Sequence, residues 1–167
     1  MTVLLVRPGR DDDLPRLTEI YNHWVEHSIV TFDVDPFTVE ERRTWLAHYR
    51  DGGPHRLLVA AAGSDVIGYA TSSAFRPKPG YATSVETTVY CAPEAVGRGV
   101  GRALYAELFA VLAGEGLHRA YAGVALPNDA SIRLHLQFGF RELGTYREVG
   151  RKLGRWVDVR WFERPMP

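Results

Sequence analysis

The chain has 167 residues, 46% of them apolar and 24% charged, and its twenty basic side chains balance twenty acidic ones, which suits one globular domain and argues against a dedicated nucleic-acid binder. No apolar run reaches the roughly 20 residues of a membrane span, and residues 1–10 show no signal-peptide pattern. The single cysteine, Cys91, has no internal disulfide partner and no Cys/His pair has zinc-ligand spacing, so the expectation is one domain over residues 1–167, without metal or membrane partner, in a reducing cytoplasm.

Thr2 to Val6 is a β-branched and leucine run stopped by Arg7-Pro8-Gly9, which predicts a first strand. Leu14, Leu17, Tyr21, Trp24 and Val25 then recur at helical spacing, with Asp11 to Asp13 expected to cap that helix and Pro15 in its first turn. Thr38-Val-Glu-Glu41 has the order of a capping box and predicts a second, shorter helix that buries Trp45, Leu46 and Tyr49. Arg56 to Ala62 and Val66 to Phe75 read as strands joined through Gly63-Ser-Asp65. Arg76-Pro-Lys-Pro-Gly80 cannot pair in a sheet and is predicted as a surface loop carrying two cations. Val85 to Cys91 alternates as the next strand, and Leu104, Leu108, Val111 and Leu112 mark a helix closed by Gly114 and Gly116. A strand over Ala120 to Val124, a helix over Asn128 to Phe138 and a strand pair over Phe140 to Val149 and Arg155 to Phe162 complete the order βααβββαβαββ.

Val96-Gly-Arg-Gly-Val-Gly-Arg102 lies between the fourth strand and the third helix. A helix N-terminus carries unpaired N–H groups and about half a positive charge, so a pyrophosphate can sit there with Arg98 and Arg102 beside it, although close packing alone also calls for glycine. The spacing is neither the dinucleotide fingerprint nor a Walker loop. The run instead resembles the pyrophosphate loop of the GNAT superfamily of acetyl-CoA-dependent N-acetyltransferases, with Gly99 and Gly101 matching and Val96 replacing the usual Gln or Arg. Val85-Glu-Thr-Thr-Val-Tyr90, Leu126-Pro-Asn-Asp129 with Ser131 to His135, Gly150-x-Lys152-x-Gly-x-Trp156, Tyr21-Asn-His23 with Thr31-Phe32, and Phe75-Arg-Pro-x-Pro79 extend the likeness to the phosphinothricin acetyltransferase branch.

The resemblance implies a mixed, mostly antiparallel sheet with splayed central strands flanked by helices, acetyl-CoA as co-substrate, a homodimer, and a small amino-acid-like acceptor such as phosphinothricin or methionine sulfoximine. A protein N-terminus, a polyamine, or a non-catalytic acyl-CoA sensor are the alternatives. Acetyl transfer needs a neutral amine and hence a base, and the resemblance gives that role to Glu86, which alternation places with Thr88 and Tyr90 on one sheet face. It marks His135 as the second catalytic candidate, to tune the amine, relay its proton or serve the thiolate, while a structural role stays open. Glu86 and Tyr90 are roughly 13 Å apart along a regular strand, so the Tyr90 phenol has no assigned role. A bulge-induced splay is expected to free the backbone of Val89, Tyr90 and Cys91 for the pantetheine arm and thioester oxygen. Gly97, Arg98, Gly99, Val100, Gly101 and Arg102 are the expected pyrophosphate contacts, with Asn128 and Ser131 also toward the cofactor, although Asn128 equally suits a helix cap. Arg76 and Lys78 are expected to meet the acceptor's acid group, or to be solvated, and Phe32 and Tyr81 to wall its pocket, or to belong to the core.

Overall fold

A computed structural model of the chain describes residues 4–167. Seven strands form one sheet in the order β1-β2-β3-β4-β5-β7-β6: β1 (Leu4–Pro8), β2 (Arg56–Ala62), β3 (Asp65–Ala74), β4 (Ser84–Cys91), β5 (Arg119–Ala125), β6 (Arg141–Lys152) and β7 (Arg155–Pro165). Every neighbouring pair is antiparallel except β4 and β5, which run parallel. Four helices, α1 (Leu14–His27), α2 (Val39–Leu46), α3 (Val100–Leu112) and α4 (Asp129–Gln137), complete the expected order. Thr2 and Val3, at the start of the predicted first strand, lie outside the described residues.

The elements form where local chemistry directs them. The α1 stripe Leu14, Leu17, Ile20, Tyr21 and Val25 is buried, and each fully buried aliphatic side chain contributes about 1.5–3 kcal/mol. Thr38 Oγ1 accepts from the Glu41 N–H at 3.2 Å while the Glu41 carboxylate accepts from the Thr38 N–H at 2.7 Å, closing the capping box before α2. The Asp11 to Asp13 run departs from expectation, since it makes a 3-10 turn of its own and does not cap α1. The Asp13 carboxylate faces back, taking Arg7 at 2.7 and 2.8 Å and the Arg10 N–H at 2.8 Å. A bidentate guanidinium is a stronger partner than a helix N–H.

The core lies on both sides of β2, β3 and β4. Val59, Val85, Leu104 and Leu108 are fully buried, and α3 packs over β3 and β2. At the far edge, β6 and β7 form a long hairpin that turns through Leu153 and Gly154.

Candidate active site

β4 and β5 pair only from Ser84, Val85 and Glu86 to Arg119, Ala120 and Tyr121, after which β4 stays on β3 and β5 stays on β7. The sheet therefore opens beyond Glu86. The opening needs no bulge in β4, whose register with β3 is unbroken from Cys91–Gly68 to Val85–Ala74, contrary to the expected bulge. Tyr105 from α3 and His135 from α4 fill the space beneath it, and Thr87 Oγ1 reaches the Tyr121 carbonyl at 3.5 Å.

The Ala92 N–H bonds to the Ile67 carbonyl at 2.8 Å, whereas the Cys91 carbonyl accepts from the Trp24 indole at 2.8 Å. Antiparallel alternation then turns the backbone of Val89 and Cys91 into the gap and that of Tyr90 toward β3. Of the three residues expected to offer free N–H groups, two thus face the opening. The gap continues into a cleft of about 660 Å³ lined by Val89, Cys91, the glycine loop, Asn128 and Ser131.

In that loop Gly97 and Gly99 have φ of 78° and 79°, a left-handed backbone that side-chain-bearing residues adopt at a cost. Among the described residues the N–H groups of Gly97, Gly99, Val100 and Arg102 have no backbone acceptor, while that of Arg98 bonds to the Ala95 carbonyl at 3.3 Å and that of Gly101 faces the Cys91 thiol. With Arg98 and Arg102 exposed at the mouth, the loop fits a diphosphate. Gly101 also permits close approach, since a Cβ there would stand 3.2 Å from Leu134. Asn128 Oδ1 caps α4, accepting from the Ser131 N–H at 3.1 Å, so that oxygen is taken up by the helix.

Glu86 shares its face with Thr88 and Tyr90 and pairs across the strands with Ser73. It is half-buried, makes no hydrogen bond among the described residues, and burial raises its pKa against the opposing charge of Arg76. Such a carboxylate accepts protons more readily than an exposed one. On this face a slot of about 310 Å³ runs between the sheet and α1 and α2, lined by Thr71, Ser73, Thr88 and Tyr90 and roofed by Arg42 and Trp45. Thr88 and Tyr90 line both cavities, so β4 is the wall between cleft and slot. The Tyr90 ring packs edge-on against Tyr21 at 5.2 Å, and burial pushes its hydroxyl up to about 12.

His135 lies at the base of the cleft. It is 3% exposed; its Nδ1 lies 2.7 Å from the Ser131 carbonyl and its Nε2 3.0 Å from the Tyr105 hydroxyl. A carbonyl only accepts, so Nδ1 carries the proton and Nε2 accepts from Tyr105. Burial lowers the ring's pKa, and the imidazole, with both nitrogens engaged, is itself among the residues that line the cleft.

Arg76 and Lys78 are exposed, with the Arg76 guanidinium 4.8 Å over the Phe75 ring. Tyr81 is exposed and set edge-on to Phe75 at 6.0 Å, and Phe32 is exposed and packs on Gly150. None of these four is a core residue. The sequence reading missed Arg42, Tyr69 and Trp45 as site residues. Its available signal was a cation at position 42 in the apolar stripe Val39, Trp45 and Leu46 of α2.

Residues 6–161 match the acetyltransferase (GNAT) domain family. Phosphinothricin N-acetyltransferase of Streptomyces coelicolor is 62% identical over 163 residues, covering 96% of this chain and 95% of that protein. The L-methionine sulfoximine/L-methionine sulfone acetyltransferase of Pseudomonas paraeruginosa is 35% identical over 160 residues, covering 95% and 92%. The crystal structure of a phosphinothricin acetyltransferase from Sinorhizobium meliloti in complex with acetyl-CoA superposes with a TM-score of 0.93 at 34% identity, covering 99% of this chain and 89% of that one.

Proposed function

The chain belongs to the GNAT family and is an acetyl-CoA-dependent N-acetyltransferase acting on amino-acid-like substrates, and from that premise we propose that it acetylates phosphinothricin or methionine sulfoximine by direct attack, with Glu86 as base. The observation that carries this reading is the position of Glu86, a half-buried acid at the point where β4 and β5 part, beside the wall between a cleft suited to a nucleotide thioester and a slot suited to a small amine.

In this mechanism the diphosphate of acetyl-CoA rests on the N–H groups of Gly97, Gly99, Val100 and Arg102, with Arg98 and Arg102 neutralising its charge. The pantetheine arm lies in the cleft along β4. The acceptor enters as an ammonium from the opposite face, its carboxylate meeting Arg76 and Lys78 and its body walled by Phe32 and Tyr81. Glu86 removes one proton through water, and the freed lone pair attacks the thioester carbon. The Val89 N–H, directed into the gap, donates to the developing oxyanion. The C–S bond then breaks, the second amine proton leaves, and the thiolate is protonated. His135 and Tyr105 act here as positioning residues, since their mutual hydrogen bond holds α4 against α3 beneath the cleft.

A homodimer belongs to the same proposal. Its support is the apolar row on the last hairpin, Leu143, Tyr146, Val149, Leu153 and Trp156, each more than half exposed. Sedimentation at micromolar concentration as a monomer removes it.

The deciding experiment is thiol release over an acceptor panel with the native chain and Glu86→Gln. Loss of general-base help is worth about 10²–10⁴ in kcat, with acetyl-CoA affinity retained. Unchanged turnover ends the role of Glu86. A polyamine or a peptide N-terminus as the best acceptor ends the substrate reading, and acetyl-CoA binding without turnover of any amine makes the chain a sensor.

A further inference from the structure

Arg42 is 6% exposed, yet no carboxylate lies within salt-bridge distance among the described residues. Its guanidinium is stacked 3.7 Å from the Trp45 ring centroid and 4.5 Å from that of Tyr21. Its one hydrogen bond runs from Nη2 to the Tyr69 hydroxyl at 3.4 Å, and Nε is buried with no partner. A guanidinium has five N–H donors, and leaving the buried one on Nε without a partner opposes folding. Arg7 and Arg56 are by contrast met by the carboxylates of Asp13 and Glu115, the latter at 2.6 Å. Arg42 has no such partner, and it lines the slot.

We propose that Arg42 receives the oxygen-bearing head group at the far end of the acceptor's side chain, a phosphinate, sulfoximine, sulfone or carboxylate, and so selects acceptors by that group. The slot floor is formed by Tyr69–Tyr90, Thr71–Thr88 and Ser73; Glu86, which pairs with Ser73, is not part of its lining, and Asp33 and Glu41 share that lining with Arg42. Arg42 stands over the first pair and Glu86 lies opposite Ser73, a separation of four residues or roughly 13 Å along the strand. An extended amino acid whose head group lies on the γ-carbon spans roughly 5–6 Å from amine to head-group atom, and one hydrogen bond of about 3 Å to the guanidinium with two more through the bridging water to Glu86 brings the total to about 14–15 Å, within about 2 Å of that separation. The span between base and guanidinium therefore matches one such acceptor. Tyr69, Tyr90 and Trp45 offer flat apolar surface to the methylenes between, while Arg76 and Lys78 stay at the mouth for the α-carboxylate. Contact with the Trp45 and Tyr21 rings restrains the guanidinium before any ligand arrives, and a guanidinium can meet two oxygens at once.

The inference rests on the slot being the acceptor site, and its test separates the two. The native chain, Arg42→Met and Arg42→Lys are compared on phosphinothricin, methionine sulfoximine and norleucine, the last having a similar chain without a head group. Removing a charged hydrogen-bonding partner predicts a loss in kcat/KM of about 10-fold to 100-fold on the first two in Arg42→Met, with norleucine and the acetyl-CoA KM unchanged. Arg42→Lys recovers part of the loss, since it returns charge without the fork. An unpaired buried charge opposes folding, so Arg42→Met keeps or raises the melting temperature. Equal losses on all three acceptors together with a lowered melting temperature make Arg42 a structural cation and overturn the inference. Should the native chain acetylate neither head-group acceptor, the substrate reading falls, and calorimetry with methylphosphonate as probe then decides the inference alone. Binding that weakens at least 10-fold in Arg42→Met supports it, and equal or absent binding overturns it.

Discussion

Gly150→Ala is a clean test of whether Phe32 walls the acceptor pocket. A Cβ built on Gly150 would stand 2.6 Å from Cζ and 2.8 Å from Cδ1 of Phe32. Carbon atoms settle at about 3.5 Å or more and Cε1 lies closer still, so the ring must retreat by roughly 1.1 Å. Gly150 has no left-handed φ, so alanine adds no backbone strain and the effect is purely steric. The ring is 40% exposed and can swing toward solvent, which keeps the stability cost below about 1 kcal/mol, or roughly 2–4 °C in Tm for a chain of this size. A displacement near 1 Å at a positioning surface can cost up to about 100-fold in rate. The expected result in a thiol-release assay is a 10-fold to 100-fold fall in kcat/KM for the acceptor with the acetyl-CoA KM unchanged. Phe32→Ala removes the obstacle, so the double variant should be no slower than Phe32→Ala alone, a non-additivity that identifies the shared contact. An unaltered acceptor kcat/KM in Gly150→Ala, or equal losses for both substrates, refutes the wall.

Asp13→Asn breaks a buried pair and should cost about 3 kcal/mol in urea unfolding at neutral pH. Burial pushes the Asp13 carboxyl up, but Arg7 and the Arg10 N–H outweigh it and hold it below the usual carboxylate range, so its stabilisation is present above about pH 4 and fades as pH falls through the lowered value. The gap between variant and native chain should therefore close on acidification, and a constant gap contradicts the assignment. His135→Gln should lower stability by about 1–3 kcal/mol through loss of the Tyr105 bond, while the pH profile of kcat/KM keeps its acid limb. Disappearance of that limb would restore His135 as the titrating base.

The element order was legible because punctuation is local. Gly63-Ser64, Pro93 and the Thr38–Glu41 box each act within a few residues of themselves. The face of Glu86 was legible from strand alternation. What escaped the sequence depends on distant partners. The partners of His135 could not be read, because Tyr105, which bonds its Nε2, stands thirty positions earlier on another helix. Asp13 reads as a helix cap until Arg7 competes for it. Arg42 stayed hidden because a cation in a short amphipathic helix is normally solvated, and only the fold shows that it is buried with no ion-pair partner among the described residues.

Cys91 has a practical consequence. It is the chain's single thiol, recessed at the end of β4, and burial pushes it up to about 11 although the Gly101 N–H partly offsets this. Thiolate is the species that attacks disulfide reagents, and the raised value favours the thiol form of Cys91 under thiol-release assay conditions. A colorimetric reagent that titrates released coenzyme thiol therefore reads product with little background from the enzyme.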